Sequence, residues 1–223
     1  MNKKELTEIL KTRLPLEEIF RDYQWNSGLS ALLHKEKDGF RKIAFQIHNT
    51  ADLDRQISAV EVLVLYQRRF DLLHNWFDKF SFRKKNDLKY TSSIVFDGRD
   101  MELENSFFFA EDGSDFEERY QTLRNTLVAG SERFLKQFQS LEDVYRHEVA
   151  PMFEMDYRLP LTGSEWLFRA LLMTHLFNPA AFPAFKNRLE AHAKLMNDQG
   201  EPNMIEYYPR FDEIMEELVQ VKL

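Results

Sequence analysis

The pair His147-Glu148 in YRHEVAPMF invites comparison with a zinc-protease helix, in which two histidines one turn apart face a single metal ion. Pro151 stands where the second histidine would be, so the motif fails. His74 and Asp78 lie four apart in HNWFD and could share a metal or a proton. The simpler expectation for them is a solvated helix face. His175 and His192 sit beside apolar stripes, where a hydrogen-bonded core-edge histidine is commoner than a ligand. His48 falls on a strand's wet face and His34 precedes a turn. The acidic pairs Glu102 with Glu104, Glu111 with Asp112, and Glu216 with Glu217 are expected to serve solubility, although such pairs can also hold hard metals. No P-loop, dinucleotide fingerprint or nucleophile elbow occurs, which removes the most specific signals for nucleotide hydrolysis, dinucleotide redox and α/β-hydrolase chemistry.

The most distinctive local feature is basic. Tyr66 to Tyr90 holds seven basic residues against three acids, a balance of +4 in a chain of net charge -7, leaving -11 elsewhere. Within FSFRKKNDLKY, the residues Arg83, Lys84, Lys85 and Lys89 could form an anion or phosphate-backbone patch, with Phe82 or Tyr90 available to stack. The competing reading is a helix-to-strand connection whose cations complement a helix C-terminus and keep the next strand soluble.

Positioning any such site falls to elements that the apolar pattern defines. Leu6, Ile9, Leu10 and Leu14, then Leu16, Ile19 and Phe20, step at helical spacing on either side of a break at Pro15. The period then changes to two. LSALLH and FRKIAFQIH flank the Asp38-Gly39 turn signal as a hairpin, and ISAVEVLVLY reads as a central strand covered on both faces. Phe70, Leu73, Trp76, Phe77 and Phe80 return to helix. LKYTSSIVF and ELENSFFFA around Asp97-Gly98 read as a second hairpin.

After EDGSD the chain reads as helices announced by cap signals, Ser114 with Glu117, Ser140 with Asp143, Thr162 with Glu165, and Asn178 before Pro179. The stripe from Phe116 to Phe138 is interrupted at Gly130, which predicts close packing or a bend there. Strands gathered first and helices afterwards predict an α+β fold. It comprises about five mainly antiparallel strands with an N-terminal helix and a helical C-terminal half packed on the sheet. One domain over 1–223 is expected, with a sub-boundary near 111–115. The order of an N-terminal helix, a strand opening with GFRK at Gly39 to Lys42, further strands and then helices resembles that of uncharacterised bacterial α+β domains over the first half of the chain; it implies no activity.

Composition limits the function classes. Without cysteine there is no disulfide framework, thiolate metal cage or cysteine nucleophile, and a reducing compartment is permitted. MNKKELTEIL lacks an apolar signal-peptide core, and the uncharged stretch Ala170 to Phe185 falls short of the ~20 residues needed to span a bilayer. A cytoplasmic protein with no membrane segment and no cofactor is therefore expected. The acidic balance disfavours non-specific nucleic-acid binding. These features lead to a non-enzymatic protein-binding module, of the acidic kind that takes a basic partner, in which an accessory or toxin-neutralising role would fit. The alternatives are a nucleic-acid or phosphate-ligand binder using residues 83–89, and a small-molecule or metal-assisted enzyme whose site assembles only in the fold.

Overall fold

A computed structural model describes residues 1–84, 88–97, 99–154 and 164–223. They form an α+β architecture in two compact units, one of residues 1–69 with 94–137, the other of residues 70–93 with 138–223. The expected sub-boundary near 111–115 falls within the first unit, in the turn between a strand and a helix.

The first unit opens with α1 (Lys3–Arg13), capped at Asn2 by a reciprocal box with Glu5 and replaced at Pro15 by short 3₁₀ turns. An open antiparallel sheet follows in the order β1 (Gln24–Asn26), β2 (Ala31–Glu36), β3 (Gly39–Asp52) and β4 (Ile57–Phe70). β5 (Ile94–Asp97) and β6 (Ser106–Ala110) both pair with β4. The expected hairpin between the last two does not form. β5 pairs with residues 65–68 of β4 and β6 with residues 59–63, both antiparallel to it, so they run in the same direction. A fourteen-residue β4 is long enough to seat two short strands end to end on one edge, and a 3₁₀ turn, Arg99–Met101, lies between them in the chain. β1, paired with β2, is a sixth strand beyond the expected five.

Strand alternation sorts the sheet into two faces. Val60, Val62, Val64 and Tyr66 are buried, with Ile43, Phe45 and Ile47 of β3 and Phe107 and Phe109 of β6. On the opposite side Glu61, Leu63 and Leu65 are half-buried. Helix α3 (Phe116–Gln137) buries Tyr120, Leu123, Leu127 and Phe134. Its Gly130 lies directly over Tyr66, where a Cβ would overlap the phenol, and the Tyr66 hydroxyl donates to the Thr126 carbonyl at 3.1 Å. Arg13 joins α1 to α3 by stacking 5.0 Å over Tyr120 and pairing with Glu117 at 2.8 Å.

The second unit contains α2 (Asp71–Phe77), α4 (Leu141–Val144), a π turn (Tyr145–Val149) and α5 (Pro151–Glu154). After residue 163 come α6 (Ser164–Phe177), α7 (Phe182–Asp198), α8 (Pro202–Tyr207) and α9 (Phe211–Leu218). The π turn has a cause in sequence. Pro151 offers no amide to the His147 carbonyl, so the ladder widens beforehand and Ala150 N–H donates instead to Tyr145, at 2.8 Å. The core centres on Phe77, stacked on Phe168 at 5.3 Å and tilted against Tyr207. Among the described residues no helix is long and apolar enough to cross a membrane.

Candidate binding site

Ionisable groups converge in two places, one in each unit, with opposite degrees of exposure. In the second unit Glu165 is a hub. Its carboxylate accepts from the Tyr207 hydroxyl at 2.9 Å and the Ser81 hydroxyl at 3.1 Å, and it pairs with Arg169 at 3.2 Å and Arg83 at 3.6 Å. Arg169 reaches Asp78 at 3.5 Å, and Asp78 lies 3.4 Å from His74 Nδ1. Burial, then Glu165, pushes the Tyr207 phenol up.

The order Ser93, His74, Asp78 has the form of a nucleophile relay, with Ser93 Oγ 3.1 Å from His74 Nε2. Burial decides against that role: His74 is fully buried and Ser93 is 5% exposed. Ser93 Oγ also accepts the amide of Phe70, the N-cap residue of α2, at 2.8 Å. The hydroxyl thus ties the helix start to the chain before β5. The set that the sequence suggested as a solvated face is an internal brace.

Part of the basic segment finds acidic partners in the second unit. Arg83 pairs with Glu165, Lys79 with Glu217, and Arg210 donates to the Phe80 carbonyl at 3.3 Å while pairing with Glu213. Lys84 is exposed, and Lys89 Nζ lies 5.1 Å over the Tyr90 ring. Lys85 lies outside the described residues. Phe82 remains half exposed against Tyr207. The histidines stay scattered. His34 Nδ1 is 2.9 Å from the Asp22 carbonyl, His48 and His147 are exposed, and His175 packs on Phe182. Burial lowers the pKa of His192, with Glu201 opposing. Among the described residues no three His, Asp or Glu side chains are placed to hold a metal ion.

The second convergence, in the first unit, is open. A cleft of about 630 Å³ lies between the turn joining β3 to β4, strand β6 and the start of α3. Glu61 faces Phe108 across the β4–β6 ladder and accepts from the Ser106 hydroxyl at 2.6 Å, while Asp54 and Glu104 stand exposed around them. The turn itself is held rigidly. Asp52 accepts the amides of Asp54 and Arg55, both at 3.1 Å, and the Arg55 guanidinium at 2.5 Å. These bonds, the Arg55 side chain foremost, hold the Asp52 carboxyl below its usual range. Arg55 further donates to Asp115 and to the Phe108 carbonyl, and Arg119 approaches Asp115 at 3.8 Å.

Both arginines lining the cleft therefore have acidic partners in Asp52 and Asp115. Asp54, Glu61 and Glu104 give the cleft its net negative charge, and Leu53 stands 84% exposed at the tip. The sequence pointed to Glu104 but not to Asp52, Asp54 or Glu61. A signal was present in the LDR run at the end of an alternating strand, yet the site forms only when β6 lies against β4. No family model matches the chain, and no curated protein or solved structure matches it either.

Proposed function

We propose that the protein is a non-enzymatic binding module for a basic segment of another protein, received at the acidic cleft beside the β3–β4 turn. The observation that carries this reading is the cleft's charge arrangement. Its arginines are matched internally, while Asp54, Glu61 and Glu104 face open space of about 630 Å³. Cationic side chains would be steered there and held at the rim, with Phe108 and Leu53 supplying apolar contact. An accessory or neutralising role fits such a module, and a cysteine-free chain suits the reducing cytoplasm. The phosphate-binding alternative at Arg83, Lys84, Lys85 and Lys89 has less support, because Arg83 is already paired with Glu165.

The test is titration of a labelled lysine-rich peptide into the full chain, followed by fluorescence anisotropy at low and moderate salt. Binding should weaken with salt. Replacing Asp54→Asn and Glu104→Gln together should weaken it about tenfold, corresponding to ~1.4 kcal/mol. Affinity that the double variant leaves unchanged would remove the cleft as the site.

A further inference from the structure

β3 outruns its neighbour. Its pairing with β2 ends at Ala31 opposite Ala44, and Phe45 N–H makes the last bond on that side, to the Ser30 carbonyl at 2.9 Å. Ser30 turns the chain away there with a φ of 47°. Seven further residues of β3, to Asp52, continue as strand, and among the described residues no strand pairs with them on the β2 side. In an antiparallel ladder each residue points both backbone groups to one side and its successor points to the other. Since Phe45 faces β2, the alternation places the amides and carbonyls of Ile47, Asn49 and Ala51 along the same edge, over about 14 Å.

Beyond Ile47, whose side chain is buried, this edge is exposed. His48, Asn49, Thr50 and Ala51 are all exposed, an unusual run for a strand. Edge strands are ordinarily protected by lysine, proline, inward charge or a covering loop. Residues 46–51 read QIHNTA, with no proline and no acidic, lysine or arginine side chain. Thr50 and Asp52 of this strand line the acidic cleft together with Glu61 and Phe108.

We infer that the edge from Ile47 to Ala51 receives an extended basic segment of the partner as an added strand. Main-chain hydrogen bonds supply affinity, and alternate basic side chains on the cleft face extend across β3 toward Asp54 and Glu61. This rests on the function proposed above and adds the mode of recognition to it. Charge complementarity selects the occupant: a strand whose side chains on the cleft side are lysine or arginine directs its cations toward the acidic cleft, whereas a second copy would bring its own uncharged edge.

The test compares two labelled peptides of about eight residues alternating lysine and valine, one unmodified and one N-methylated at every second amide, against the full chain. N-methylation keeps the charge and removes the donors. The methylated peptide should bind at least tenfold more weakly, and so should the unmodified peptide to Asn49→Pro, whose missing N–H faces outward and leaves the ladder with β4 intact. Equal binding of both peptides would overturn strand addition while leaving the acidic cleft as a site. Binding of neither would overturn the functional reading and this inference with it. A self-associated chain that Asn49→Pro converts to monomer, and that the peptide does not displace, would assign the edge to a second copy and overturn the inference.

Discussion

Gly130→Ala tests the packing of the unit that carries the cleft. At an exposed helix position this change would stabilise by ~1 kcal/mol, since alanine loses less backbone entropy than glycine. Here the added methyl overlaps the Tyr66 hydroxyl and Cζ. Tyr66 cannot retreat easily, being 1% exposed on a central strand and 6.3 Å from the Phe134 ring. Overpacking costs ~1–3 kcal/mol, and displacing the phenol also strains its bond to Thr126, an interaction worth ~1 kcal/mol. These terms exceed the propensity gain, for a net loss of ~1–3 kcal/mol. Hydrogen exchange at the β4 amides reports on this unit and should quicken accordingly. In a Tyr66→Leu background the same Gly130→Ala change should become neutral or stabilising, because the two effects share one contact. A Gly130→Ala protein as stable as the parent would refute the close approach.

Four further outcomes follow from named contacts. Asn49→Pro should leave stability nearly unchanged, whereas Thr50→Pro removes an inward ladder donor and should cost at least ~1 kcal/mol; urea denaturation of each distinguishes them. Glu165→Gln should cost ~2 kcal/mol, because Arg169, 4% exposed, keeps Asp78 but loses its nearer carboxylate; unchanged hydrogen exchange in α6 would exclude this. Burial lowers Lys42 to about 8 from 10.5, so the unfolded chain binds more protons in that interval and stability should rise with pH from 8 until the tyrosines titrate. Lys42→Met should flatten that rise, measured as denaturation midpoints at pH 7.5, 8.5 and 9.5. Raised Tyr66 acts in the opposite sense, losing stability above about pH 10, which sets the upper limit of the window.

Features governed by local rules were legible in the sequence. The helix break at Pro15, the first hairpin, the central strand and the need for glycine at position 130 each follow from a neighbourhood of a few residues, and each stands in the structure. Pairings between distant segments were not legible. The DG signal at 97–98 and the alternation around it suit a hairpin, yet a fourteen-residue β4 can satisfy both strands separately, and no local pattern records that choice. Ser114 carries a capping signal, but it is Asp115 that bonds the Ala110 amide and Arg55, ahead of α3, because the fold brings Arg55 within reach.

Charge illustrates the same limit and bears directly on function. A run such as Arg83 to Lys89 is conspicuous because its members are adjacent, but adjacency along the chain does not determine the local field. Glu165 and Glu217 return from the C-terminal helices to pair with Arg83 and Lys79, so the field at this segment is weaker than its sequence alone suggests. Asp54, Glu61 and Glu104 are dispersed over fifty residues and unremarkable singly, and two of them are carried to one cleft by a strand pairing. There the arginines already have partners, so the carboxylates' charge is not consumed internally. What a partner encounters is the charge left after internal pairing. On that basis the acidic cleft with its exposed strand edge is the surface at which the proposed partner should be sought first.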